Sequence, residues 1–295
     1  MIPSPGVVAA RLTALLGLWL ASLGCAGVRP GSLAVERYAV GPQPHRALFV
    51  FFPGRWDVPQ DFVRHGFLAE LEAGGWAAEV WAADLSVEYY RHGAVGEVAG
   101  QLLASVPEGL RPCTFVVGIS MGGMGAIIAD SAHPGPWKIV LLAPYLGSPK
   151  AGAKKLREGT PTLGGGNPFA GQLEAWLASS SAANRVWLGF GDNDPYALAH
   201  RYLAARLPQG QVVHIPGGHD WPTWRRLFRL LLERLPREAC GPKAAGAAGG
   251  SPEPGPRRYE LQGPSGVSCL GLTATKLMFL APTRRAVSKT FMTVP

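Results

Sequence analysis

Between residues 33 and 235 the chain alternates short, unbroken apolar runs with longer segments of helical spacing. ALFVFF (47–52), the run from Thr114 to Val117, KIVLL (138–142) and RVWLGF (185–190) carry almost no polar face. Runs of this length without alternation suit strands buried on both sides. LAVERYAV, Ala77 to Trp81 and Gln211 to Ile215 read as further strands. Helical spacing spans Pro59 to Leu71, Val95 to Val106 and Tyr196 to Leu207, the last just after Pro195. A final helix over Thr223 to Leu235 aligns Leu227, Leu230, Leu231 and Leu235 on one face. Such alternation predicts an α/β fold, a mostly parallel twisted sheet with helices on both faces. It also predicts where a ligand sits, beyond the carboxyl ends of the strands.

The rhythm sets the boundaries. Residues 33–237 form the expected domain. Within it, residues 147–184 are rich in Gly, Pro and Lys around a short helical stretch from Phe169 to Leu177. They read either as a small cap over the cleft or as a surface connection. Residues 238–295 open with a linker-like AAGAAGGSPEPGP and are expected to be a disordered tail.

Residues 1–32 resemble an export segment: Arg11, the 17-residue apolar stretch LTALLGLWLASLGCAGV, then Arg29-Pro30-Gly31. Three outcomes stay open, namely cleavage near Gly24-Cys25-Ala26, lipid attachment at Cys25 within Ser22-Leu23-Gly24-Cys25, or an uncleaved anchor. The expected location is therefore secreted or periplasmic, with membrane association through the N-terminus as a variant.

The net charge of +8 is carried by the chain ends. Residues 33–235 hold 18 basic against 17 acidic side chains, which leaves the core without a nucleic-acid footprint. Four cysteines do not form a disulfide framework. Cys113 reads as a small buried residue, and Cys240 and Cys269 are a pair that an oxidising compartment could join. No His-x-x-x-His, paired-Cys or acidic cluster points to a metal, and Gly164-Gly165-Gly166 lacks the Lys-Ser/Thr of a phosphate loop. No cofactor is expected.

One motif lies where a strand gives way to small residues, Gly118-Ile119-Ser120-Met121-Gly122. Gly-x-Ser-x-Gly in a strand–turn–helix setting is a nucleophile elbow, and its flanking glycines avoid Cβ clashes in a tight turn. A serine hydroxyl needs a base, most often a histidine oriented by a carboxylate. His219 follows a predicted strand and a Gly-Gly turn in PGGHDW. His45, His65, His92, His133 and His200 read as solvated surface, and His214 as a structural strand residue. The acid lies in GFGDNDP, where Asp194 precedes a helix and Asp192 competes with it. Asp194 could also be a helix cap, and Asp220 is expected to be an Asx turn or cap.

The elbow GISMGG, the acid loop GFGDNDP and the histidine loop PGGHDW, in the order Ser120, Asp194, His219, resemble the α/β-hydrolase fold over about residues 33–237. The resemblance implies an oxyanion hole from the Met121 N–H and from the loop after ALFVFF. There Pro53-Gly54-Arg55 matches the family's His-Gly-x and nominates the Arg55 N–H, with Pro53 in place of the usual His. Trp56, Met124, Tyr145 and Trp221 are candidate walls of a substrate pocket, against ordinary core packing. The expected activity is hydrolysis of a small carboxylic ester or thioester through an acyl-enzyme. An apolar elbow helix and a short cap favour an uncharged substrate. An acyltransferase or peptidase on the same scaffold, or a non-catalytic binding protein, are the alternatives.

Overall fold

In a computed structural model, residues 33–147, 168–179, 183–241 and 257–261 are described. The expected export segment and most of the candidate cap lie outside them. Among the described residues no helix is long and apolar enough to cross a membrane.

Eight strands among the described residues form one sheet. They are β1 (Leu33–Val40), β2 (Ala47–Phe52), β3 (Ala78–Ala83), β4 (Thr114–Ile119), β5 (Lys138–Leu142), β6 (Val186–Gly191), β7 (Val212–Ile215) and β8 (Arg257–Leu261). Their order is β7-β6-β5-β4-β2-β3-β1-β8. From β3 across to β7 every pairing is parallel. β1 runs antiparallel to both β3 and β8. The helices are α1 (Pro59–Arg64), α2 (Phe67–Ala73), α3 (Val87–Arg91), α4 (Val95–Ala104), α5 (Met121–Ala132), α6 (Pro168–Ala178), α7 (Ala197–Ala204) and α8 (Trp221–Leu232).

The unbroken apolar runs are explained by burial on both faces. In β2 all six residues are buried. Phe49 and Phe51 face a core with Phe62, Phe67 and Phe228 from α1, α2 and α8. Leu48, Val50 and Phe52 face the opposite core, built with α3 to α7. Each fully buried Phe contributes about 2–3 kcal/mol by leaving water, so β2 alone supplies both cores with a large driving force.

Three features depart from the sequence reading. The expected helix from Pro59 to Leu71 breaks at Gly66, which takes φ 79. A Cβ there would come within 2.8 Å of the Arg225 guanidinium, whose Nε pairs with Glu70 at 2.6 Å. The tail, expected to have no fold, supplies β8, in register from Leu33↔Leu261 to Arg37↔Arg257. Cys113 is buried as expected but is bridged to Cys240, the cysteine that the sequence reading offered to Cys269, with Cα atoms 4.9 Å apart. Cys269 lies outside the described residues.

α6 is held to the domain by a buried acid. Asp130 of α5, 2% exposed, accepts hydrogen bonds from the indoles of Trp137 and Trp176 at 2.8 Å each. Arg185 donates to both of its oxygens, at 3.2 and 3.0 Å. The charge is tolerated because every oxygen is paired. Leu173 and Trp176 of α6 belong to the same core as α5.

Candidate active site

Ser120 stands between β4 and α5, at the carboxyl end of the strand. Its backbone takes φ 51 and ψ −114, a costly conformation for a residue with a Cβ. The surroundings fix it. Its N–H donates to the Leu142 carbonyl at 2.9 Å, and its own carbonyl accepts from Tyr145 N–H at 2.7 Å and Gly123 N–H at 3.0 Å. The flanking glycines are required by close backbone approach. A Cβ on Gly118 would lie 2.4 Å from the Gly122 carbonyl oxygen, and one on Gly122 would lie 2.1 Å from that of Phe52. The turn therefore presses the start of α5 against the end of β2.

His219 arrives from the loop between β7 and α8. Its Nε2 lies 2.8 Å from Ser120 Oγ, and its Nδ1 lies 2.6 Å from Asp194 Oδ2. An ionised carboxylate only accepts, so Nδ1 carries the ring hydrogen and Nε2 accepts from the serine hydroxyl. The Asp194 side chain is fully buried, while that of His219 is 20% exposed. Asp194 Oδ1 accepts the Tyr196 N–H at 2.8 Å, so each oxygen has its own donor. The structure thus brings Ser120, His219 and Asp194 into one hydrogen-bonded line from three separate strand ends.

The competing acid points elsewhere. Asp192 Oδ1 pairs instead with His214 Nδ1 at 2.9 Å. Asp220 caps α8, accepting the Thr223 N–H at 2.9 Å. A Gly54 Cβ would lie 3.6 Å from the Ser120 Cβ, so the turn after β2 borders the nucleophile. The Met121 N–H, at the first position of α5, has no intrahelical acceptor. Met121 and Met124 are buried in the core.

The candidate wall residues divide. Tyr145 is half-buried, with its ring 5.5 Å from that of Tyr196, and Tyr196 lies 5.2 Å from His219. Trp221 packs edge-on against Phe62 and Phe67 and stacks with His65 at 4.4 Å. Its indole also hydrogen-bonds Asp57, whose carboxyl is pushed up chiefly by burial. Trp221 is accordingly part of an aromatic wall, whereas Trp56 is 69% exposed and lines no core.

Sequence reasoning missed three residues around the site. Tyr90, on the short α3, donates its hydroxyl to the Met121 carbonyl at 2.9 Å and so fixes the first turn of α5. Tyr196 supports the acid and flanks the imidazole. His200 corrects a specific expectation, since it is fully buried and not on a solvated surface. Its Nε2 bonds the Pro144 carbonyl at 2.9 Å, next to Tyr145. Burial lowers its pKa to about 4, with Asp194 opposing the shift and His219 adding to it. The ring is neutral at pH 7, so Nε2–H is the donor. The helical spacing around His200 was visible, but its buried acceptor was not.

The overall fold is similar to that of solved structures. Est1E from Butyrivibrio proteoclasticus superposes with a TM-score of 0.51 at 16% identity, over 71% of this chain and 93% of that one. The chain has the α/β-hydrolase fold. A presumed esterase from Staphylococcus aureus with the same fold gives a TM-score of 0.51 at 14% identity, over 70% of this chain and 81% of that one. No protein-family model matches the sequence, and no curated protein does. Within this α/β-hydrolase fold the line of Ser120, His219 and Asp194 occupies the carboxyl edge of the sheet.

Proposed function

We propose that the protein is a serine hydrolase that cleaves small carboxylic esters or thioesters through an acyl-enzyme. The observation that carries this reading is the continuous Ser120–His219–Asp194 hydrogen-bonded line beside the Gly54 turn.

Ser120 Oγ attacks the substrate carbonyl as its proton passes to His219 Nε2. Asp194 holds the imidazole by Nδ1 and stabilises the positive charge that forms there. The carbonyl oxygen becomes an oxyanion that accepts from the Met121 N–H and the Arg55 N–H, each such donor being worth about 3 kcal/mol in the transition state. Collapse breaks the ester or thioester bond, and Nε2–H protonates the departing alcohol or thiol. Water then attacks the acyl-enzyme, with His219 taking its proton and returning it to Ser120. Labelling by a fluorophosphonate probe tests the reading. Wild-type protein is expected to be modified at Ser120 and to turn over short-chain esters, and Ser120→Ala to do neither while staying folded. Turnover undiminished in Ser120→Ala overturns the assignment.

We also propose that the protein works outside the cytoplasm. The Cys113–Cys240 bridge supports this, because structural disulfides persist in oxidising compartments. The apolar stretch after Arg11 agrees with it. Sequencing the N-terminus of the protein from fractionated cells tests it, and an intact Met1 in a cytosolic fraction overturns it.

A further inference from the structure

The loop that borders Ser120 carries a cation with no carboxylate partner among the described residues. Arg55 follows Gly54, the residue that borders the nucleophile. It is exposed, and its guanidinium carbon stands 4.7 Å from the centroid of the Trp56 ring. Among the described residues no carboxylate lies within ion-pair distance of it. The acid nearest in sequence, Asp57, is turned beneath the loop, where the Gly54 N–H and the Trp221 indole donate to it.

The platform under Arg55 is itself unusual. Trp56 is a bulky side chain at φ 72, and 69% of it is exposed. Neither the backbone nor the hydrophobic effect favours that placement, and such strain gathers where a ligand is held. Stacking on the indole holds the guanidinium plane while leaving its N–H edge free.

Two phenols complete the rim. The Tyr145 and Tyr196 rings touch each other beside His219, and among the described residues neither hydroxyl has a protein partner. Burial raises both phenol pKa values, and the charge of Arg55 pulls both back down. Arg55 follows the glycine that borders Ser120, the Tyr145 N–H donates to the Ser120 carbonyl at 2.7 Å, and the Tyr196 ring lies 5.2 Å from that of His219, so all three residues flank the candidate nucleophile and base.

We propose that Arg55, with the Tyr145 and Tyr196 hydroxyls, binds an anionic group of the substrate, so that the preferred ester carries a carboxylate a few bonds from its scissile carbonyl. A guanidinium presents paired donors that match a carboxylate, and two hydroxyls supply the remaining hydrogen bonds. This rests on the hydrolase reading above, and it reverses the uncharged substrate suggested by the apolar elbow helix.

Two pairs of esters, each with one anionic and one neutral member, test the site and locate it. Monoethyl adipate against ethyl hexanoate places the anion on the acyl side. 4-Acetoxybenzoate against its methyl ester places it on the leaving group. Rates are normalised to sites titrated with fluorophosphonate. The wild type is expected to prefer the anionic member of one pair by about tenfold in kcat/KM, mostly through KM, as suits one charge-assisted contact at an open rim. Arg55→Gln is expected to bring that ratio near one, and Arg55→Glu to invert it. Turnover with no anionic preference in either pair, or a ratio that survives both substitutions, overturns the anion site and leaves the hydrolase reading standing. Failure of all four esters together with absence of labelling at Ser120 overturns both.

Discussion

Asp194→Asn is the sharpest probe of the candidate site, because the structure dictates how the amide must sit. Asp194 Oδ1 accepts the Tyr196 backbone N–H at 2.8 Å, and Oδ2 faces His219 Nδ1 at 2.6 Å. An asparagine has one acceptor oxygen for these two donors. The backbone N–H cannot change its role, and turning the amide NH2 toward it would oppose two donors in a buried site at a cost of about 1–3 kcal/mol. The oxygen therefore stays with Tyr196, and the NH2 faces His219. Nδ1 must then accept, which moves the ring hydrogen to Nε2, 2.8 Å from Ser120 Oγ. The serine loses its base although every heavy atom keeps its place. A loss of about 10³- to 10⁴-fold in kcat is expected, equivalent to about 4–5.5 kcal/mol at 1.36 kcal/mol per tenfold. Hydrolysis of 4-nitrophenyl acetate, with thermal unfolding as a control, measures it. A folded Asp194→Asn protein within tenfold of wild-type kcat would refute the tautomer argument.

Other expectations follow from the scaffold. The Cys113–Cys240 bridge spans 127 residues, so its removal by paired alanines is expected to cost up to about 5 kcal/mol of chain entropy in denaturant unfolding, and an unchanged midpoint would count against a structural role. Asp130→Ala strands Arg185 and two indoles, and is expected to cost about 3–5 kcal/mol of stability while activity per folded molecule persists. His200 binds its proton at about pH 4 when folded and near 6.5 when unfolded. The unfolded chain therefore takes up more protons in that window, so stability falls as pH drops through it, by about 3 kcal/mol at pH 4. The slope of unfolding free energy against pH should flatten in His200→Gln, and an identical slope would exclude this residue as its source.

The parts of the site that could be read from sequence are those set by local backbone demands. Gly118 and Gly122 are there because carbonyls crowd the turn, and a Cβ on Gly217, two residues before His219, would lie 2.5 Å from the Thr223 hydroxyl. The choice between Asp194 and Asp192 was different in kind. Both precede the same helix, and contacts far along the chain separate them, Asp194 meeting His219 and Asp192 meeting His214. Tyr90, Asp130 and His200 were illegible for a related reason, since each owes its role to an acceptor or donor far away in the chain. The fold was legible where burial on two faces strips strands of polar residues. It was less so at Gly66, where Arg225 of α8 dictates the break, and at Cys113, whose partner lies 127 residues on.

The antiparallel pairing of Arg257–Leu261 along β1 gives the chain's later residues a protective task. Without that ribbon the eight-residue β1 would be the margin of the sheet, whereas β8 offers a passing strand only five residues, three of them charged, and so a blunter edge for intermolecular stacking. Shortening the protein at residue 241 would thus leave a longer and stickier margin. The damage would register as aggregation at the opposite side of the sheet from the β6 and β7 ends that carry the acid and histidine loops, with the chemistry of Ser120 locally untouched.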